Sequence, residues 1–148
     1  MRRFHGLHIG AEAVLAPWLS AVPGLDFQAR RRRALLDADL KALGETADPA
    51  PSHPAPASLP EALGQLYVLE GSTLGGQVIR KRVLGAGDTM RGLSFLDPYG
   101  AETGLRWKSF VGVLDRECRG PDQADAAVRG GLAGFEAARR HLCAKVAA

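Results

Sequence analysis

The four histidines of the sequence are the side chains best suited to hold a metal ion. His5 and His8 are three residues apart and would share one face of a helix, which makes them weak candidates for metal ligands. His53 lies in a proline-rich segment and His141 follows two arginines, and we expect both to face solvent. None belongs to a recognisable metal cluster, and the order of residues supports no Ser-His-Asp or Cys-His arrangement.

The two cysteines indicate neither a metal site nor a disulfide scaffold. Cys118 and Cys143 are far apart, form no CxxC motif and have no histidine at ligand spacing. We expect both to be reduced thiols on helices.

Three glycines stand close together in a segment that otherwise favours a helix, Leu66-Tyr67-Val68-Leu69-Glu70-Gly71-Ser72-Thr73-Leu74-Gly75-Gly76-Gln77-Val78-Ile79. Each glycine inside a helix costs roughly 0.5–1 kcal/mol relative to alanine, so three of them indicate that something needs a bare backbone. Either another helix packs on Gly71 and Gly75, or a flat ligand lies against them. The spacing alone favours helix packing and leaves the ligand open.

The spacing of apolar residues predicts five helices and no strand, which is the pattern of an all-α protein. The predicted helices cover about 4–22, 27–43, 60–83, 105–114 and 123–146. Ser58 and Glu61 form a capping box at the start of the third helix. The segment 45–57 is rich in proline and is predicted to be an extended, mobile linker. With 148 residues and 46% hydrophobic content, the chain is expected to form one domain.

The charge pattern of the chain does not indicate a nucleic-acid partner. The net charge is +3, but the only dense basic run, Arg30 to Arg33, has no interleaved aromatic residues, and a solvated helix face is the favoured interpretation. No segment approaches the roughly 20 apolar residues of a membrane span, and no secretion signal is evident. We therefore expect a cytoplasmic protein without membrane contact.

Three stretches of the sequence resemble heme oxygenases, particularly the bacterial biliverdin-producing type associated with phytochrome photoreceptors. YVLEGSTLGGQVI resembles the distal helix of that family. PGLDFQARRRRALLDADLKALG and FLDPYGAETGLRWKSFVGVLD resemble the segments before and after it. The resemblance runs from about Leu7 onward and implies a heme oxygenase-like all-α fold with a glycine-kinked distal helix.

The resemblance also implies roles for residues on and near that helix. It places four residues of the distal helix toward heme: Gly71, Ser72, Gly75 and Gly76. Ser72 falls where many members have an aspartate that organises water near iron-bound oxygen. This departure is normal for bacterial members with the EGSTLGG motif. Lys108 and Tyr67 are candidates for contact with a heme propionate. Their alternatives are an ordinary surface lysine and a core aromatic residue with a bonded hydroxyl.

The resemblance further implies a member that is shortened at its N-terminus. Relatives begin with a helical segment whose histidine ligates the iron, and we expect this chain to lack it. Without an axial ligand the iron loses an anchor and its electronic control. His5 and His8 are weak substitutes, because by resemblance they lie on the following helix. We therefore expect no cofactor, unless the chain is an enzyme, in which case the cofactor is heme.

These expectations leave three functions open. The favoured one is a degenerate, non-catalytic module that binds or regulates protein. The first alternative is a heme oxygenase that cleaves heme to biliverdin, carbon monoxide and ferrous iron. In that case the missing helix is omitted by a misplaced start codon or its ligand is replaced by an unusual one. The second is a heme or tetrapyrrole binder without turnover. A second copy or another protein is expected to cover apolar side chains left bare, including Leu7, Val14 and Phe135.

Overall fold

The computed structural model describes residues 1–145, and within them the regular elements are all helical. The helices are α1 (Arg2–Leu19), α2 (Phe27–Arg30), α3 (Arg33–Leu43), α4 (Leu59–Gly85), α5 (Thr103–Glu117) and α6 (Pro121–Leu142). Two 3-10 turns, Ser94–Leu96 and Gly100–Glu102, lie between α4 and α5. The prediction of an all-α protein is confirmed.

Helix α4 begins as the sequence predicts. The Ser58 hydroxyl accepts a hydrogen bond from the Glu61 amide at 3.3 Å, and the Glu61 carboxylate accepts one from the Ala57 amide at 2.8 Å. The first bond satisfies an amide that a helix leaves free at its start, and the second ties the residue before the N-cap to the first turn. The helix then runs without interruption through its glycines to Gly85, close to the predicted end.

The second predicted helix is two helices, so the prediction of a single one is wrong. Arg31 is extended, with φ −70° and ψ 142°, and separates α2 from α3. The break is held by Glu12 of α1, whose buried carboxylate accepts hydrogen bonds from the Arg32 amide at 2.6 Å and from Arg31 Nε at 3.0 Å. A contact from a distant helix outweighs the local helical pattern.

The segment 45–57 has no regular secondary structure, as predicted, but it packs against the helices. A Cβ atom on Gly10 of α1 would lie 2.9 Å from the Pro51 carbonyl oxygen. The His53 ring is hydrogen bonded to Gln65 of α4 at 3.1 Å, and Gln65 donates to the Pro54 carbonyl at 2.9 Å. Pro51, His53 and Pro54 therefore contact α1 and α4, and the mobility of the segment stays a prediction.

The hydrophobic core lies where α4 meets α1 and α5. Its buried members are Ala11, Leu15, Leu19, Leu25, Phe27, Ala62, Leu63, Leu66, Phe110 and Val113. Because α4 supplies Ala62, Leu63 and Leu66 between residues of α1 and α5, the core holds the first half of α4 against both helices.

Helices α4 and α6 approach so closely that only glycine fits at their crossing. A Cβ atom on Gly64 would lie 1.9 Å from the Ala127 carbonyl oxygen, and one on Gly130 would lie 2.0 Å from the Glu61 carbonyl oxygen. Close helix packing on glycine therefore occurs in α4 at Gly64, about two turns before the glycine run that begins at Gly71.

The last helix ends at Leu142, and the predicted extension to Val146 reaches outside the described residues. In the described part of the chain, no helix has both the length and the apolar character to cross a membrane. The cytoplasmic location stays a prediction.

Candidate functional site

One side of α4 exposes a strip of bare backbone bordered by apolar side chains, which we call the glycine face: Tyr67, Gly71, Leu74, Gly75 and Val78. These positions recur at three- and four-residue steps and so share one side of the helix. A Cβ atom on Gly75 would meet nothing within 4 Å, and one on Gly71 would meet only the Trp107 ring, at 3.8 Å. The interpretation that a helix packs on both glycines is therefore wrong at Gly75, while at Gly71 the contact comes from the Trp107 side chain of α5.

Gly76 serves a different contact from its neighbour Gly75. It is buried, and a Cβ atom there would lie 1.8 Å from the Leu96 carbonyl oxygen in the first 3-10 turn. The absence of a side chain lets this turn reach the backbone of α4. The structure thus brings Gly71 and Gly75 together on the open face and turns Gly76 away from it.

Three other predicted site residues, Tyr67, Ser72 and Lys108, are all exposed. Tyr67 is 40% exposed, so it is no core residue, and its ring centroid lies 5.4 Å from that of Trp107. Lys108 is exposed on α5 beside Trp107. The hydroxyl of Ser72 is exposed but donates to the Leu69 carbonyl of its own helix at 2.6 Å.

Behind the glycine face lies a buried ion network centred on Glu70. Its carboxylate accepts hydrogen bonds from Arg30 at 2.6 Å and from Arg32 at 3.1 Å. The Tyr99 hydroxyl donates to the same carboxylate at 2.8 Å, and its ring centroid lies 4.7 Å from the Arg32 guanidinium. Arg30 and Arg32 are buried, so the interpretation of the basic run as a solvated helix face is wrong for these two arginines.

The Glu70 network sets the rotation of α4. Burial raises the pKa of Tyr99, which keeps its hydroxyl protonated and able to donate. Glu70 faces inward, and Gly71, one residue and about 100° further round the helix, faces outward. Glu70 was not predicted as a functional residue, although the sequence contains a signal. Glu70 continues the three- and four-residue spacing of Leu63 and Leu66, so it is a charged residue within an apolar stripe.

His5 and His8 lie in the interior on the side of α1 that faces α3. His5 Nε2 is hydrogen bonded to Asp37 at 2.8 Å. His8 packs edge-on against Phe95. Burial, with a smaller contribution from the charge of Arg32, lowers the pKa of His8 to about 3, so the ring is neutral at physiological pH.

The remaining two histidines are not simply solvent-facing, as the sequence led us to expect. His53 is half-buried against Gln65, and burial lowers its pKa although that hydrogen bond opposes the change. His141 packs its Nε2 atom against Gly6 of α1. Within residues 1–145, no group of three or more metal-binding side chains could hold a metal ion.

The glycine face fits one part of the heme group that the resemblance implies. The open backbone at Gly75, together with Gly71 beside the Trp107 ring, is bordered by Leu74 and Val78 and suits the flat apolar side of a porphyrin. All four histidines of the chain are within the described residues, and each of them contacts groups away from this face. The face therefore suits the macrocycle and supplies no histidine to its iron.

A second exposed apolar surface lies on α6, and we call it the α6 strip: Val128, Leu132 and Phe135. These side chains are 61%, 64% and 55% exposed. They border a groove of about 310 Å³ that Tyr67 of α4 also lines. The expectation of a bare apolar surface is confirmed at Phe135. It is wrong at Leu7, which is buried, and at Val14, which is partly buried against the core.

The comparisons with known proteins identify one curated relative. A protein named heme oxygenase, from Xanthomonas campestris pv. campestris (strain 8004), is 37% identical over 148 residues. The similarity covers 97% of this chain and 85% of the relative. No family model matches the chain, and no solved structure matches it.

Proposed function

Because the chain belongs to the heme oxygenase family, we propose that it is a member that does not turn over heme by itself and instead acts by binding protein. The observation that carries this proposal is the position of the histidines. Turnover of heme needs an axial ligand that anchors the iron and tunes its electronic state. None of the four histidines lies on the glycine face, which is the surface that suits heme.

Neither of the two weak candidates can reach that face while α1 stays packed. His5 is bonded to Asp37, and His8 is enclosed beside Phe95. Bringing either imidazole to the glycine face would require α1 to leave α3 and α4, which would expose core residues such as Leu15. Full burial of a leucine contributes about 1.5–3 kcal/mol, so a movement that exposes several such residues is strongly unfavourable.

The α6 strip supports the protein-binding part of the proposal. Three large apolar side chains in succession are exposed there beside an apolar groove. Exposed contiguous apolar surface of this kind is typical of sites that bind protein. A regulatory or adaptor role would use this surface, and it requires no chemistry at the glycine face.

A second candidate function is favoured by the glycine face. Gly75 has open space where a side chain would stand, and no contact within the described residues explains why the helix gives up stability there. A heme or another tetrapyrrole lying on the face would explain it. This candidate is a heme oxygenase, which is the name of the relative, with biliverdin as its product, or a tetrapyrrole binder without turnover.

A hemin titration followed by absorption spectroscopy separates these functions. The purified chain is compared with the double variant His5→Gln/His8→Gln and with Gly75→Leu, which places a side chain on the glycine face. We expect no saturable Soret shift that depends on either histidine. A stoichiometric shift that the double histidine variant loses would overturn the proposal, because it would reveal an axial ligand. A shift lost only in Gly75→Leu would establish a binder without histidine ligation.

A further inference from the structure

The α6 strip is part of a longer series of exposed residues at three- and four-residue steps: Asp125, Val128, Leu132, Phe135 and Arg139. Alternating steps of three and four residues place side chains in a line along one side of a helix, which we call the seam. Helices that pair in coiled coils have this spacing. Arg139 continues the seam beyond Phe135, and Asp125 precedes Val128. An apolar centre with a charge at each end is therefore presented to solvent on one side of α6.

We propose that this seam pairs, in antiparallel orientation, with the same seam of a second copy of the chain. The inference rests on the proposed function, because it names the protein that the α6 strip binds. An interface between two copies related by a two-fold axis must be complementary to itself. Here the ridge of Val128, Leu132 and Phe135 lies directly beside the groove floored by Gly64 and Gly131, so each copy offers both a ridge and a groove.

The charges at the two ends of the seam determine the orientation. Asp125 and Arg139 are each seven residues, or about two turns, from Leu132. When two copies cross at Leu132 in antiparallel orientation, Asp125 of one copy lies opposite Arg139 of the other, and the pair occurs twice. Parallel pairing would place each charge opposite its like, which is unfavourable.

The charged residues of the seam are available for such contacts. Within residues 1–145, Asp125 has no ion-pair partner. Arg139 is bonded to Glu136 of its own helix at 2.9 Å, but that pair is exposed and screened by solvent. Its guanidinium has further donors for a carboxylate from a second copy.

Sedimentation equilibrium of the full chain tests the pairing. We expect a dimer at micromolar concentrations, and we expect Leu132→Glu to weaken its association at least tenfold. The matched control is Leu105→Glu, which introduces the same charge at a residue of α5 that is 71% exposed and outside the seam. The control is expected to remain a dimer. A wild-type chain that stays monomeric, or a dimer that Leu132→Glu leaves unchanged, would overturn the proposal.

Charge reversal tests the antiparallel orientation. Asp125→Arg alone and Arg139→Asp alone should each weaken dimerisation, on the order of tenfold, because each places like charges opposite one another twice. The double variant Asp125→Arg/Arg139→Asp restores opposite charges and should return the dissociation constant to near the wild-type value. Additive losses in the double variant would refute this orientation. Because these experiments measure mass and the hemin titration measures ligation, failure of the pairing is distinguishable from failure of the proposed function.

Discussion

Glu70 accepts a hydrogen bond of 2.6 Å from Arg30, and both side chains are about 1% exposed. The carboxylate also pairs with Arg32, so one buried anion holds two cations. This pairing joins α4 to the chain on either side of the break between α2 and α3. It lies one residue before Gly71 and thereby determines which side of α4 is open.

Removing the charge of Glu70 should destabilise the fold. In Glu70→Gln the two arginines lose their buried counter-ion, and breaking a buried pair costs about 3–5 kcal/mol. We expect the free energy of unfolding in urea to fall by about 3 kcal/mol. The control is Glu136→Gln, since Glu136 pairs with Arg139 and Arg140 at the surface and its loss should leave stability unchanged. Equal effects of the two variants would contradict the role of the network.

The glycines of α4 should respond to alanine in opposite directions. Gly64→Ala forces a methyl group against the Ala127 carbonyl oxygen and should destabilise the protein by about 2–3 kcal/mol. Gly75→Ala enters open space on a helix and should stabilise it by about 0.5–1 kcal/mol. Thermal and urea denaturation of both variants measure the difference. Destabilisation by Gly75→Ala would show that the glycine face is covered by protein.

Stability should fall in mild acid because His8 stays neutral in the folded state. Its folded pKa is about 3, below the value of about 6.5 expected after unfolding. Below that higher value the unfolded chain binds a proton that the folded chain does not, so acid favours unfolding. The free energy of unfolding should therefore be unaffected by His8 above about pH 7 and should be lower by about 2 kcal/mol at pH 5.

The variant His8→Leu should flatten this dependence, because it removes the titrating group and keeps an apolar side chain beside Phe95. Urea denaturation of both proteins at pH 7.5, 6 and 5 measures it. If His8→Leu loses stability between pH 7.5 and 5 as steeply as the wild-type chain, groups other than His8 cause the loss of stability in acid.

Local patterns predicted the parts of the fold that local interactions stabilise. Ser58 and Glu61 act as a capping box because both partners lie within one turn of sequence. The long glycine-containing helix was predicted as well, since its apolar spacing continues through Gly71 and Gly75. The exposed position of Phe135 followed from the helical pattern and the resemblance together.

Contacts between distant segments account for what the sequence did not predict. Arg30 and Arg32 look like surface residues until Glu70, about 40 residues later, is brought beside them. The break at Arg31 depends in the same way on Glu12 of another helix. The open side of α4 and the glycine crossing at Gly64 depend on how helices rotate and cross, which apolar spacing does not specify.

The most direct test of the proposed function is a single-turnover reaction of hemin with the full chain and ascorbate as the reductant, followed by absorption spectroscopy. The proposed function predicts no biliverdin beyond that formed by hemin and ascorbate without protein, because no histidine of the chain lies on the glycine face. Decay of the Soret band into a biliverdin band, at a yield near one per chain and abolished in Gly75→Leu, would contradict it and establish an active heme oxygenase.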